Sequence, residues 1–300
     1  MRLTIVRIVA LALALFLAAA CDGGDEVVSS DDPRPSQTSS GAGADGTRYA
    51  ATGTVLESPQ HGPQLCSEVE ESYPPQCGGL DIIGWDWDAA PGAESASGTT
   101  WGEYTVVGTW DGEALTLTEP PGEPERRGPD DADRFATPCP EPDGGWQVVD
   151  PATATDEAMQ AAIDHARAQP DIGGVWLDQS INPAAREEPI DEGAMNDPTR
   201  VVLNVTFTGD LERHEADLRQ RWGGPLCVSE APASIADLEA IREEVQAEVG
   251  ERMTYSSVDE VRGRIEIGVH IDDQGFQARF DERYGESVVV VGATLRPVAG

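Results

Sequence analysis

RVVLNVTFTGDLERHEADLRQRW, Arg200 to Trp222, reads as one strand running into one helix. In RVVLNVTFTGD the side chains alternate with the period of two that a pleated strand imposes, and Gly209 and Asp210 end the run. LERHEADLRQRW then changes to helical spacing, with Leu211, Leu218 and Trp222 set among charged residues. The same alternation of elements continues on both sides. Upstream, TDEAMQAAIDHARAQP carries Met159, Ile163 and Ala166 at helical spacing, with Thr155 or Asp156 as cap and Pro170 beyond the end. GGVWLDQS is a short strand, and residues 183–198 form a polar loop. Downstream, GGPLCVSEAP is a strand and SIADLEAIREEVQAEV a capped amphipathic helix with Ile235, Leu238, Ile241 and Val245 in register. GRIEIGVHID and ESVVVVGATLRPV are strands that bracket the short helix DQGFQARFDERYG. Helices and strands in this order predict an α+β domain over residues 146–300, with helices on one face of a sheet.

Residues 48–120 carry a different pattern. YAATGTVLES, LDIIGWDWD, WGEYTVVGTWDG and EALTLTEP are short apolar or alternating runs separated by Gly, Pro and Asp, without a long helical period. They predict a small β-barrel or sandwich domain, so the fold class is α+β throughout. QLCSEVEESYPPQCGG reads as a loop between the first two strands, stiffened by Tyr73, Pro74 and Pro75. In GWDWD the period of two places Trp85 and Trp87 on one face. Two roles compete for these rings: a platform that stacks a ligand, or the bulk that a small barrel needs inside. Tyr73, Trp85 and Trp87 are therefore the candidate binding residues. Residues 121–145, rich in Pro, Gly and acid, predict an inter-domain linker or long loop.

The N-terminus reads as an export signal. Arg2 and Arg7 precede the apolar run from Ile8 to Leu17, small residues follow, and the chain turns polar after Cys21. That run is shorter than the roughly 18 to 20 residues that span a bilayer. The segment LAAAC resembles the lipobox of bacterial lipoproteins, although Ala18 stands where leucine is usual and Leu17 lies one place earlier. The resemblance implies that residues 1–20 are a signal peptide and that Cys21 becomes a lipidated (palmitate-bearing) N-terminus. Residues 21–47, rich in Ser, Gly, Asp and Pro, would then be a disordered tether between the lipid and the folded body. The expected location is the extracytoplasmic face of the bacterial cell membrane.

Cys66, Cys77, Cys139 and Cys227 remain once Cys21 is set aside, and an even set in an exported chain reads as disulfides. Four cysteines allow three pairings. Cys66 with Cys77 closes a short loop, and that choice leaves Cys139 with Cys227. A metal site is not expected, because no CxxC spacing is present and of His61, His165, His214 and His270 only His61 stands near a cysteine. His165 and His214 fall on helices and read as exposed.

The formal charge is −35, and all 20 basic residues are arginine. Such a chain is repelled by polyphosphate backbones, which excludes nucleic acid as a partner. It is repelled equally by anionic lipid, so membrane attachment would come from the lipid on Cys21. HIDDQGF and PDDADR lack the spacing of a calcium loop. No GxSxG, HExxH, Walker loop or helix-opening GxGxxG is present, so no catalytic residue and no cofactor is assigned, and the chain reads as a protein without enzymatic activity.

PDIGGVWLDQ followed by RVVLNVTFTGDLERHEADLR resembles the repeated α/β module in the pro-regions of alpha-lytic-type secreted serine proteases, over about residues 155–248. The likeness rests on a strand ending in Trp-hydrophobic-Asp, then an apolar strand, then a helix. It implies a part that folds or inhibits a protease, whereas no protease follows in this sequence. With GTVLESPQHGPQLC and SYPPQCGG, the whole mature chain also resembles uncharacterised actinobacterial lipoproteins, a likeness that implies no activity. The leading expectation is a lipid-anchored, non-enzymatic binding or interaction module at the cell surface, with a protein or cell-wall glycan as partner. The alternatives are a trans-acting inhibitor or foldase of secreted serine proteases, and a carbohydrate-active or cell-wall enzyme.

Overall fold

A computed structural model of the chain describes residues 46–125, 134–186 and 191–298. The signal segment, Cys21 and most of the expected tether lie outside these residues. In the described part, helices and sheets are mixed, as an α+β chain requires.

The first strands are β1 (Arg48–Ser58), β2 (His61–Glu70), β3 (Gln76–Ile83), β4 (Glu94–Ala96), β5 (Thr99–Trp110) and β6 (Ala114–Leu117). β1 pairs antiparallel with β2 and, from Arg48 opposite Thr109 to Glu57 opposite Thr100, with β5. β2 pairs antiparallel with β3, β3 parallel with β6, and β6 antiparallel with β5. Five strands in the order β1-β2-β3-β6-β5 thus return to β1, while β4 extends β5. Alternation along the strands explains the inside: Tyr49, Ala51 and Val55 of β1 meet Leu65, Leu80, Ile82, Tyr104, Val106, Trp110 and Leu115 in one buried cluster.

Two local expectations change. QLCSEVEESYPPQC is a hairpin and not an inserted loop, because Gln64 to Glu70 belong to β2 and Gln76 and Cys77 to β3, paired up to Glu70 opposite Gln76, with residues 71–75 as the turn. Strand β3 stops at Ile83, since Gly84 takes a φ of +85° that breaks the extended run, and Trp87–Ala89 form a short turn of 3-10 helix. WDW is therefore not strand.

The remaining chain folds into two modules with the same order of elements. The first is α1 (Asp156–Arg167), β7 (Ile172–Asp178), β8 (Val202–Phe207), α3 (Leu211–Arg219) and β9 (Leu226–Glu230), with the four-residue helix α2 (Glu192–Met195) in its β7–β8 connection. The second is α4 (Ile235–Val249), β10 (Met253–Asp259), β11 (Arg264–Val269), α5 (Phe276–Tyr284) and β12 (Val289–Ala293). In each module the first two strands are antiparallel and the third runs parallel to the second, which needs the crossover helix between them. The core positions repeat in sequence. Leu203, Val205, Phe207, His214, Leu218 and Trp222 are matched 62 positions later (203 to 265) by Ile265, Ile267, Val269, Phe276, Phe280 and Tyr284.

The expected single sheet is instead two three-stranded sheets, β7-β8-β9 and β10-β11-β12, each with its own apolar cluster. Helix starts follow the sequence: Thr155 accepts from the amide of Ala158, and Ser234 from that of Asp237. The chain then returns to the first sheet. β13 (Arg296–Pro297) pairs with β1, and Ile271 and Leu295 enter the apolar cluster of the five strands.

Residues 134–150 run across both modules as a strap. Thr137 donates its amide (2.8 Å) and hydroxyl (2.7 Å) to Asp178. Arg134 lies 3.2 Å from Asp259. Trp176 donates its indole N–H to the Phe135 carbonyl, and the amide of Val149 donates to Gly223. Cys139 is bonded to Cys227 on β9.

Candidate binding groove

Both disulfides join the favoured partners, Cys66 with Cys77 and Cys139 with Cys227. The first ties β2 to β3 near the tip of their hairpin. That tip is braced further, because Ser72 donates its hydroxyl to the Pro74 carbonyl and Gln76 donates its amide to the Ser72 hydroxyl. The brace holds Tyr73, whose ring stands at 88° to that of Trp101 with centroids 5.9 Å apart. Tyr73 is nonetheless 80% exposed, so its face is open to solvent.

Below Tyr73 lies a groove of about 500 Å³. Residues 72–77 of the hairpin form one wall, the β1–β2 turn with Ser58, Gln60 and His61 another, and Ser97 and Thr99 the third. None of its thirteen lining residues is Asp, Glu or Arg. Ser97 enters through the turn between β4 and β5, where it takes a φ of +52°. Sequence reasoning missed Gln60, His61 and Ser97, because only the closure of the five strands brings their turns beside the hairpin.

Trp85 and Trp87 do not line this groove. They pack edge to face on each other at 5.1 Å, and Trp85 packs in the same way on the buried ring of Tyr104 at 5.2 Å. Tyr104 donates to the Ala90 carbonyl, and Trp87 donates its indole N–H to Glu57 at 2.5 Å. Both indoles are half-buried against the core of the five strands, so the pair supplies bulk there.

A second groove, about 630 Å³, lies where β1, β2 and β5 face the second module. Thr52, Thr105, Thr254, Tyr255, Thr294 and Arg296 are among its lining. Tyr255 can lie flat there because β11 and β12 present Gly268 and Gly292: a Cβ on Gly268 would fall 2.3 Å from the ring, and one on Gly292 3.0 Å from its hydroxyl. Burial, reinforced by Glu266, pushes the Tyr255 phenol above its ordinary value.

His214 is not an exposed helix residue. It is 1% exposed, because α3 turns it inward to stack on Phe207 with ring centroids 3.6 Å apart. Its Nε2 lies 2.8 Å from Asp171 Oδ2 and 2.8 Å from the Arg213 guanidinium. Burial pushes the Asp171 carboxyl up, but the hydrogen bond with His214, a backbone hydrogen bond and the nearby charge of Arg213 together outweigh it, and the group sits below the ordinary value. His165 is half-buried, and burial with Arg221 lowers it. His214 occupies the place that Phe276 fills in the second module, which marks it as a packing residue.

The four bridged cysteines are oxidised and offer no thiolate to a metal. Among the described residues no group of three or more His, Cys, Asp or Glu is placed to hold a metal ion. Among them, too, no helix is long and apolar enough to cross a membrane. Compared with protein families, curated proteins and solved structures, the chain matches none.

Proposed function

We propose that this chain is a lipid-anchored binding protein of the extracytoplasmic membrane face, which holds its partner at the groove beneath Tyr73. Lipid on Cys21 fixes the chain, residues 21–47 carry the folded body clear of the bilayer, and the five strands form a small closed barrel that presents the groove. The observation that carries the reading is Tyr73 itself. A large aromatic side chain left 80% exposed gains little for the fold beyond its edge contact with Trp101, yet it sits on a hairpin tip fixed by a disulfide and by hydrogen bonds on both sides. A rigid, open aromatic group beside a concavity is what a contact surface requires, since little conformational freedom is lost on binding. The test is retention of the purified chain on isolated cell-envelope material. Wild type is retained and Tyr73→Ala is released; equal retention of both removes the groove from the function.

A second reading is supported by the first module, in which a strand ending Val175, Trp176, Leu177 and Asp178 leads to an apolar strand and then a helix. That order is the one on which the likeness to protease pro-regions rests, and it favours a trans-acting inhibitor or foldase. Inhibition of secreted serine proteases by the full chain supports it, and no inhibition across a panel rejects it. For glycoside hydrolysis by paired carboxylates the groove supplies no acid among its lining residues.

A further inference from the structure

We infer that the groove beneath Tyr73 takes an uncharged saccharide, an inference that rests on the binding role proposed above. A quarter of the residues in this chain are charged, and its net charge is −35, yet the groove's lining contains no Asp, Glu or Arg. A charged ligand would meet no counter-charge there and would lose its hydration without compensation. A cationic ligand would find better places almost anywhere else on so acidic a chain, and an anionic one is repelled by the chain as a whole.

What the groove offers instead is neutral hydrogen bonding beside an aromatic face. The side chains of Gln60 and Ser97 make no hydrogen bond to other described residues, and Thr99 lies beside them. His61 uses Nδ1 on the Gly62 carbonyl, which leaves Nε2 for a ligand. Amides and hydroxyls both donate and accept, as sugar hydroxyls do. The Tyr73 ring, in edge contact with Trp101 and 80% exposed, offers the groove an open aromatic surface on which the C–H face of a pyranose can pack. The cavity, about 500 Å³, falls within the roughly 300–1,000 Å³ of small-ligand sites. An apolar peptide would bury these polar groups unpaired, at a cost that a polyhydroxylated ligand avoids.

The experiment is native gel electrophoresis of the full chain in gels cast with a neutral polysaccharide (an α-glucan, a mannan or an arabinogalactan), with polygalacturonate as the acidic comparison and a proline-rich peptide titrated separately. The expected result is retardation by at least one neutral polymer, unchanged by added salt, with apparent affinity weakened about tenfold or more in Tyr73→Ala and also weakened in Gln60→Ala. Both positions are exposed, and unchanged thermal melting will show that the variants are folded. Retardation only by the acidic polymer, binding only of the peptide, retardation unaffected by both substitutions, or none by any polymer overturns the inference. If envelope retention still depends on Tyr73 in those cases, the binding role stands and only the ligand class falls; if that retention is also absent, the binding role falls with it.

Discussion

Asp178 and Asp259 stand at the same place in the two modules, opposite Val202 and Arg264 at the first antiparallel pairing of each sheet, and both hold the strap four residues wide between Arg134 and Thr137. Each carboxylate is buried, with 5% and 4% of its residue exposed, and each is satisfied by charge-assisted bonds. The strap is thus a clamp on both modules. Asp178→Ala is expected to lose about 2 kcal/mol of unfolding free energy, the usual worth of hydrogen bonds to a charged group. Asp259→Ala removes a buried carboxylate that Arg134, Arg262 and Arg264 all face and is expected to cost at least as much. Because both act on one strap, the double variant should cost less than the two losses added, as urea unfolding would measure.

The same carboxylates fix an acid limit. For Asp178, burial pushes the pKa up, but hydrogen bonds from Ser180 and Thr137 outweigh it; for Asp259, burial is outweighed by Arg262 and Arg134. Both folded values lie below the unfolded one of about 3.9. Their contribution is therefore whole above that pH and is lost as pH falls through the depressed values. Loss of the tryptophan signal of Trp176, which bonds the strap, should appear below about pH 4 in wild type.

His270 gives a separate, milder pH dependence. It lies against Trp110 where the second module meets the five strands, and burial lowers its pKa. The imidazole is held neutral in the fold, while the unfolded chain takes up a proton from about pH 6.5 downward. The stability it contributes is present above about pH 6.5 and declines as pH falls through the lowered value. His270→Phe should flatten the stability profile between pH 7 and 5, measured by denaturant unfolding at each pH.

The two disulfides should differ in weight. Closing 88 residues in the unfolded chain is worth about 4.6 kcal/mol by loop entropy, whereas closing 11 is worth about 2.8. Cys139→Ala with Cys227→Ala is expected to lower the melting temperature more than Cys66→Ala with Cys77→Ala. The second pair of substitutions should instead weaken envelope retention, since it loosens the hairpin that carries Tyr73.

The repeat makes a substitution test of its own. His214→Phe places in the first module the residue that Phe276 supplies in the second, and is expected to change stability by less than about 1.5 kcal/mol. His214→Ala, which leaves a cavity against Phe207, should cost roughly 3 kcal/mol. Calorimetric melting of the two variants decides between a packing role and a polar one.

Much of this fold is written locally. The alternation in YAATGTVLES and RVVLNVTFTGD, the caps Thr155 and Ser234, and the even set of cysteines each announce a feature that the structure contains. What was hidden depends on distant pairing. Strands of similar pattern do not say with which neighbour they pair, so two sheets look like one. The repeat is masked because 23 residues (179 to 201) join β7 to β8, against four (260 to 263) between β10 and β11. His214 looks exposed beside Arg213 and Glu215, and its burial follows only from where α3 packs. The groove is assembled from three separate turns, and of its residues only Tyr73 stood out as a binding candidate.

The account rests on a folded body held at the outer face of the membrane through Cys21, and intact mass with membrane partition tests that most directly. Wild type and Cys21→Ala would be expressed in a Gram-positive host. The expected wild-type chain begins at Cys21, carries added acyl mass and sediments with membranes, and the variant has no acyl mass and stays soluble. A soluble, unacylated wild-type chain, or one that retains Met1, would contradict it.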